Sequence, residues 1–164
     1  MTLYFVGTPG TGKTAIARTV AAKLKFEMVE INDLVKERSF FIGYDVFRDS
    51  LILDEPLLCN YLIPVLEGNS QICLCGPILE LPSRLIEMIF VLRCNPGILR
   101  TRLSGRGYDT GKVEENVEAE IMDIVAEEAR TIYGDYVLIC EIDTSDHSVS
   151  QAADLAIRKL ASLG

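Results

Sequence analysis

The residues best suited to chemistry lie in one short segment, where the chain reads Gly-Thr-Pro-Gly-Thr-Gly-Lys-Thr from Gly7 to Thr14. This spacing matches G-x-x-x-x-G-K-[ST], the phosphate-binding loop, and the segment follows an apolar run and precedes a helical pattern, as that loop requires. Glycines let successive backbone N–H groups turn around phosphates, and the start of the helix adds the positive end of its dipole. The segment therefore predicts a binding site for a nucleoside triphosphate.

Residues within this segment have separate predicted roles. Lys13 should reach the β- and γ-phosphates as a point charge, and the Thr14 hydroxyl should face Mg²⁺. The N–H of Ala15 falls in the first turn of the helix, where it is free to meet the α-phosphate. With Gly10 and Gly12, these residues form the predicted site for ATP and Mg²⁺.

A second candidate is an arginine in a glycine-rich stretch. Four of the ten arginines fall within 14 positions, and the last of them, Arg106, lies between two glycines in the stretch from Ser104 to Gly111. A planar, permanently charged guanidinium suits the charge that spreads over a transferring phosphoryl group. We predict that Arg106 acts on this group from a mobile flap, although the stretch is also compatible with an ordinary exposed turn. Arg93 and Arg102 are more typical of ion pairs at the ends of elements.

Composition and length narrow the class of protein. None of the five asparagines is followed by lysine, so the N-K-x-D segment of guanine-specific switches is missing, and 164 residues are too few for a motor or helicase. A net charge of -8 argues against a surface that grips the backbone of nucleic acids. What remains is a small phosphotransferase or a small regulatory ATPase.

The cysteines and the first residues of the chain together predict the cellular compartment. The chain begins without a basic segment or a long apolar run, and its five cysteines include no C-x-x-C pair. We therefore expect a cytoplasmic protein with reduced thiols, no signal peptide and no membrane span.

The elements that must position these residues alternate between short apolar runs and helical patterns. This alternation predicts an α/β fold, with a parallel sheet covered by helices on both faces. The predicted strands are Leu3 to Val6, Met28 to Ile31, Gln71 to Cys75, Met88 to Leu92 and Val137 to Ile142. The predicted helices are Lys13 to Leu24, Glu55 to Leu66, Pro96 to Leu103, Lys112 to Tyr133 and Ser148 to Ser162.

Two of the connections carry further expectations. The interval from Asp33 to Asp54 is longer than a plain connection and indicates an insertion. The helix from Lys112 to Tyr133 carries an apolar stripe that should pack on the sheet, formed by Val113, Val117, Ile121, Ile124, Val125 and Ile132. Its acidic face is most simply a solvated surface, or else a docking surface for a basic partner.

Several short motifs, in this order, resemble the adenylate kinase isoenzyme 6 family. They are the phosphate loop, Asn-Asp-Leu at 32–34, Gly-Tyr-Asp at 43–45, Ile-Leu-Asp-Glu at 52–55, Phe-Val-Leu-Arg at 90–93, Arg-Gly-Tyr at 106–108 and Glu-Glu-Ala at 127–129. The resemblance covers nearly the whole chain. It implies a P-loop NTPase fold with a five-stranded parallel sheet, forming one nucleoside-monophosphate-kinase-like domain over residues 1–164.

The same resemblance implies a function. It suggests a segment that binds the nucleoside monophosphate at about 30–54, and a short lid with Arg106 at about 104–114. The implied reaction is ATP + AMP to 2 ADP, alongside an ATPase activity. The family is associated with maturation of the small ribosomal subunit and rRNA processing through a basic small-subunit ribosomal protein, a partner that an acidic chain suits better than bare RNA.

The chain departs from the family pattern at the end of its third predicted strand. An Asp-x-His element of the family, tied to magnesium-bound water and ATP hydrolysis, falls on Cys73-Leu74-Cys75-Gly76. A thiol is mostly neutral at pH 7 and is a poor ligand for Mg²⁺. We therefore expect weak or altered ATPase activity that Cys73→Asp with Cys75→His would raise, with Glu80 or Asp33 as candidates for the missing charge.

A second departure is Lys36, which occupies the place of an arginine in the segment for the monophosphate. Lysine can still meet a phosphate but lacks the bidentate fork, and Arg84 or Arg38 could compensate. Lys36 and Arg84 are the predicted contacts to the monophosphate, and Asp33 either holds an acceptor or caps a helix.

Two other functions stay open at this point. One is an ATP-gated binding protein for a ribosomal protein. The other is a small-metabolite kinase of the shikimate kinase type, which would need an acidic pair after the second strand, where we identified only Asp33.

Overall fold

Five parallel strands form the central sheet of the computed structural model, which describes residues 1–69 and 71–162. Strand β1 (Thr2–Gly7) lies in the middle, between β5 (Ile72–Cys75) and β6 (Met88–Arg93). Strands β2 (Glu27–Glu30) and β7 (Leu138–Asp143) form the two edges. The predicted α/β fold with a five-stranded parallel sheet is confirmed.

Alternate residues of β1 face two separate cores, because helices cover both faces of the sheet. Leu3 and Phe5 face the core beneath α1 (Lys13–Leu24) and α7 (Val149–Ala161). The residues between them, Tyr4 and Val6, pack into the other core, which α3 (Glu55–Gly68) and α6 (Ile124–Tyr133) cover. The continuous apolar run at the start of the chain is therefore a strand buried on both sides.

The predicted insertion is a helix followed by a β-hairpin. Helix α2 (Ile31–Arg38) leads into the antiparallel strands β3 (Phe41–Asp45) and β4 (Ser50–Leu53). Leu51 and Leu53 pack against the core that α3 covers. The hairpin is thereby held over the carboxyl ends of the parallel strands.

The tip of the hairpin contacts the helix that follows the glycine-rich stretch. Helix α4 (Pro96–Gly105) is followed by a turn, and α5 (Thr110–Ile121) begins with Asp109 as its N-cap. Arg48 forms an ion pair of 3.2 Å with Glu115 of α5. The predicted flap is therefore a short turn between two helices, and one of these helices reaches the hairpin.

The prediction of one helix from Lys112 to Tyr133 was wrong, because α5 and α6 are separate. Asp123 adopts a left-handed conformation (φ 56°) between them, where Arg93 binds both its carboxylate and the carbonyl of Glu120. The chain turns around this guanidinium.

The predicted apolar stripe is divided in the same way. Val113 and Val117 pack with residues of α4, whereas Val125 and Ile132 pack against the core that α3 and α6 cover. Ile121, which we expected to pack on the sheet, is 60% exposed.

In the described residues, the structure contains no helix that is both long and apolar enough to cross a membrane. All five thiols are free, and those of Cys73, Cys75 and Cys94 are buried.

Candidate active site

The phosphate loop turns between β1 and α1 through glycines that a side chain would not fit. Gly10 and Gly12 have φ values of 91° and 92°, in the region that favours glycine. A Cβ on Gly10 would also lie 2.8 Å from the Cδ1 of Leu99. The glycine pattern found in the sequence is therefore required both by the backbone conformation and by the packing of α4 on the loop.

The carbonyl groups of the loop are held by the surrounding protein. The hydroxyl of Thr144 donates to the carbonyl of Thr11 at 2.8 Å, and Arg102 reaches the carbonyl of Gly10 at 3.4 Å. The Thr11 hydroxyl donates to the carbonyl of Thr8 at 2.8 Å. The N–H of Thr11 donates to the same Thr8 carbonyl at 3.2 Å, so the other loop amides are the groups left to face an anion.

A buried carboxylate joins the loop to α5. Glu120 is 4% exposed, and its two oxygens accept from the Thr8 hydroxyl at 2.6 Å and from Arg93 Nε at 2.7 Å. The N–H of Cys94 donates to the same oxygen as Arg93, at 3.1 Å. Glu120 thus fixes α5 to the phosphate loop and to the end of β6.

A cleft of about 380 Å³ opens in front of the loop. The predicted ATP-binding residues and Arg106 all line it, together with Pro9, Arg18, Asn32 and Tyr108. Burial lowers the pKa of Lys13, and the nearby charge of Arg106 lowers it further. Two cations held together in one cleft create the field that a chain of phosphates would neutralise.

Two further cavities continue from this cleft towards the hairpin. The first, about 320 Å³, shares Pro9, Lys13 and Asn32 with the phosphate-loop cleft and reaches Leu51 and Leu53. The second, about 440 Å³, lies under the hairpin and is again lined by Asn32 and the two leucines. Together the three spaces form a groove that runs from the phosphate loop to the hairpin.

The two predicted contacts to a monophosphate fall in different places. Lys36 lines the cavity under the hairpin, beside Tyr44. Arg84 does not line this groove. It lies on a 3-10 helix just before β6, at the amino ends of the parallel strands, and pairs with Glu67 at 2.7 Å. The phosphate loop lies at the opposite, carboxyl ends of the strands, so the structure does not support Arg84 as a site residue.

Thr14 points towards the ends of two strands. Its hydroxyl donates to Glu30 Oε1 at 3.1 Å, and Cys75 Sγ lies 3.8 Å from Thr14 Oγ1. Cys73 is fully buried, two residues further down β5, which is about 6–7 Å along the strand. Of the two cysteines that replace the family's Asp-x-His element, only Cys75 therefore reaches the site.

The electrostatic state of the two thiols follows from burial. Burial raises the pKa of Cys75, and it raises the pKa of Cys73 to about 12. Both thiols are therefore neutral near pH 7, as the sequence predicted. In the described part of the chain, the carboxylate hydrogen-bonded to Thr14 is that of Glu30, and not of Asp33 or Glu80.

The sequence interpretation missed several residues of the groove. Asn32 lines all three cavities, and Tyr108 lines two of them. Asn32 is the second residue of α2, two positions after the end of β2, and ligands of α/β sheets bind outside the carboxyl ends of the strands. That position is a signal that could have identified Asn32. Glu30, the last residue of the same strand, carries the same signal.

The other arginines near the site have structural roles. Arg93 binds Glu120, Asp123 and Glu141, and Arg102 donates to the carbonyl of Thr144 at 2.9 Å. The ion pairs predicted for Arg93 are confirmed, whereas within the described residues Arg102 donates to two carbonyls and the Thr144 hydroxyl and forms no ion pair, contrary to the prediction.

Comparisons with known proteins agree with this fold. A family model described as an AAA domain matches residues 4–123. The adenylate kinase isoenzyme 6 homolog FAP7 of Saccharomyces cerevisiae is 37% identical over 153 residues, covering 92% of this chain and 78% of the relative. The adenylate kinase isoenzyme 6 homolog of Schizosaccharomyces pombe is 40% identical over 140 residues, covering 84% of this chain and 78% of the relative.

Solved structures share the fold at low sequence identity. Shikimate kinase from Aquifex aeolicus aligns with a TM-score of 0.62 and 13% identity, covering 99% of this chain and 97% of that one. Deoxyadenosine kinase from M. mycoides aligns with a TM-score of 0.60 and 16% identity over the full length of both chains. The chain therefore belongs to the adenylate kinase isoenzyme 6 family and is a kinase-like P-loop protein.

Proposed function

We propose that this protein is an ATP-dependent nucleoside monophosphate kinase that converts ATP and AMP to two ADP. The observation that carries the proposal is the groove, in which the phosphate-loop cleft shares Asn32 and Tyr108 with the cavity under the hairpin. The third cavity shares Lys13 and Asn32 with the cleft, and Asn32, Leu51 and Leu53 with the cavity under the hairpin. A kinase needs its donor and acceptor held end to end, with cations at the point of transfer. The names of the curated relatives support the same reaction.

In this proposal each part of the groove has one task. The loop amides and Lys13 hold the β- and γ-phosphates of ATP, and Arg106 reaches the transferring group from the turn after α4. An oxygen of the AMP phosphate forms a bond to the γ-phosphorus as the bond to the bridging oxygen of ADP breaks. Magnesium bound with ATP supplies positive charge to the β- and γ-phosphates.

The hairpin and the turn after α4 have proposed roles as the monophosphate-binding segment and the lid. Leu51, Leu53 and Tyr44 give the cavity under the hairpin a largely apolar wall that suits a planar base, and Lys36 is the cation there. Closure of these segments over the groove would exclude water and favour transfer over hydrolysis. With a neutral thiol at Cys75, we propose that ATPase activity without an acceptor is weak.

The test is ADP formation by the purified protein with MgATP, alone and with AMP, CMP, GMP or UMP in turn. We expect AMP to raise ADP formation strongly and Lys13→Ala to abolish it. Lys23→Ala serves as the matched control, because Lys23 lies at the far end of α1 and pairs with Asp154. If no monophosphate stimulates ADP formation, the kinase proposal is wrong.

A second proposal is binding of a basic small-subunit ribosomal protein in the cytoplasm, in a manner that depends on ATP. It is supported by the net charge of -8 and by the hairpin tip, where Val46 and Phe47 are 78% and 101% exposed beside the groove. We expect such a protein to be retained by the chain more strongly with MgATP than without it, and Phe47→Ser to reduce retention. Equal retention with and without ATP, or none at all, contradicts this proposal.

A further inference from the structure

The strand ends around Thr14 differ from those expected of a magnesium site in a P-loop protein. In such sites Mg²⁺ is held by the loop Ser or Thr and by an aspartate that follows a neighbouring strand. Here the neighbouring strand β5 ends at Cys75, whose buried thiol is a soft group that suits Mg²⁺ poorly. The strand beside the loop therefore offers no charged oxygen ligand.

A carboxylate reaches the same point from a different strand. Glu30 is the last residue of the edge strand β2, which pairs with β5, and its partner in the register is Cys75. Its Oε1 accepts from the Thr14 hydroxyl at 3.1 Å, and its side chain is 15% exposed. The carboxylate thus extends over the end of β5 to the hydroxyl that faces the metal.

The ion pair between Arg18 and Glu30 does not involve Glu30 Oε1. Arg18 Nη2 contacts Oε2 at 3.2 Å, and Arg18 itself is 65% exposed, so this is a weak surface pair. Arg18 lines both the phosphate-loop cleft and the outer cavity in which Glu30 lies. The pair therefore orients the carboxylate and leaves Oε1 directed at Thr14.

We infer that Glu30 supplies the carboxylate that holds the magnesium of MgATP, in place of an acid at the end of β5. This inference rests on the proposed use of ATP at the phosphate loop, but not on AMP as the acceptor. In this role Glu30 positions the metal and does not touch the reacting atoms. If Glu30 only stabilised Thr14 through its hydrogen bond, the test below would give a different result.

The test measures ATP binding by calorimetry in EDTA and again in saturating Mg²⁺, for the wild type and Glu30→Gln. Removing the negative charge should leave ATP binding in EDTA unchanged or tighter, because the carboxylate repels the phosphates. Loss of a group that orients metal ligands typically costs 10–100-fold in metal affinity. We therefore expect the tightening of ATP binding by Mg²⁺ to shrink by at least about tenfold in Glu30→Gln.

Glu27→Gln is the matched control. Glu27 lies on the same strand and lines the same outer cavity, but its carboxylate accepts from Asn69 on the surface. It should bind ATP like the wild type in both buffers. A Glu30→Gln protein that loses equal affinity in EDTA and Mg²⁺, or that keeps the full effect of Mg²⁺, would overturn the inference.

A second variant tests the position of the charge. Cys75→Asp in the Glu30→Gln background places a carboxylate beside Lys13 and Thr14, and should restore most of the Mg²⁺ effect. A folded double variant that stays at the level of Glu30→Gln counts against the inference. If the wild type does not bind ATP at all, both the role of Glu30 and the proposed function are wrong. If Mg²⁺ tightens ATP binding through Glu30 but no phosphoryl group passes to AMP, the role of Glu30 holds and only the proposed kinase reaction is wrong.

Discussion

Replacing Glu120 with glutamine should destabilise the protein and loosen its phosphate loop at the same time. The carboxylate of Glu120 is buried and accepts three hydrogen bonds, from Thr8, Arg93 and Cys94. Glutamine has nearly the same shape but no charge, and its NH2 group replaces one accepting oxygen with a group that can only donate. The substitution therefore tests the charge of this carboxylate with little change in packing.

The size of the effect follows from these three bonds. Hydrogen bonds to charged groups contribute about 1.5–3 kcal/mol, against about 0.5–1.5 kcal/mol for neutral pairs. Arg93 keeps Asp123 and Glu141 as partners, which limits the loss at that end. We expect the free energy of unfolding to fall by about 2–3 kcal/mol, which lowers Tm by about 5–10 °C in a chain of this size.

The assay is urea unfolding followed by circular dichroism, with ATP affinity measured on the same samples. Glu118→Gln is the control, because Glu118 lies on the exposed side of the same helix, and it should change the unfolding free energy by less than about 0.5 kcal/mol. The losses of unfolding free energy caused by Thr8→Val and Glu120→Gln should not add up in the double variant, because both substitutions affect the same hydrogen bond. An unfolding free energy for Glu120→Gln within about 0.5 kcal/mol of the wild type would refute this account of the buried carboxylate.

Three further predictions concern the groove and the buried thiols. Arg106→Ala should lower kcat for transfer to AMP by about 100-fold or more, while Arg100→Ala, which breaks only a surface pair with an acidic side chain of α5, should have no such effect; equal rates would contradict the role of Arg106. Lys36→Ala should raise the KM for AMP about tenfold without changing that for ATP, and Arg84→Ala should change neither. Because burial raises the pKa of Cys73 from 9.0 to about 12, the folded protein keeps a proton that the unfolded chain loses, so the unfolding free energy should fall as pH rises above about 9. Urea titrations from pH 8 to 10.5 should show a shallower fall for Cys73→Ala, and identical slopes would rule out this source of pH dependence.

The parts of the site that were predictable from sequence are those set by local backbone requirements. Gly10 and Gly12 are needed for their φ values, and α1 begins at Lys13 as the motif predicts. Helix α1 ends at Leu24, also as predicted, where Lys25 adopts a left-handed conformation. These features depend on a few neighbouring residues, so the sequence carries them directly.

The features that were not predictable depend on contacts between distant parts of the chain. The break between α5 and α6 is held by Arg93, which lies 30 positions before Asp123. Arg84 was a plausible phosphate contact by residue type, but the topology puts it at the wrong edge of the sheet. The helical periodicity from Lys112 to Tyr133 gives no sign of the contacts that Arg93 makes with Glu120 and Asp123.

The carboxylate beside Thr14 shows the same limit. Glu27, Glu30 and Asp33 are closely spaced, and the sequence does not indicate which of them faces the phosphate loop. The choice is made by the register of β2 on β5, which places Glu30 beside Cys75. Sequence reasoning therefore identified the missing acid but not its replacement.

The central claim is that the γ-phosphoryl group of ATP passes to AMP in this groove. The most direct measurement is a single incubation with MgATP labelled at the γ-phosphorus and unlabelled AMP, followed by separation of the products. The account predicts that the label appears in ADP, at a rate that exceeds the release of labelled inorganic phosphate and that is lost in Lys13→Ala. Label found only in inorganic phosphate, or remaining in ATP, would contradict it.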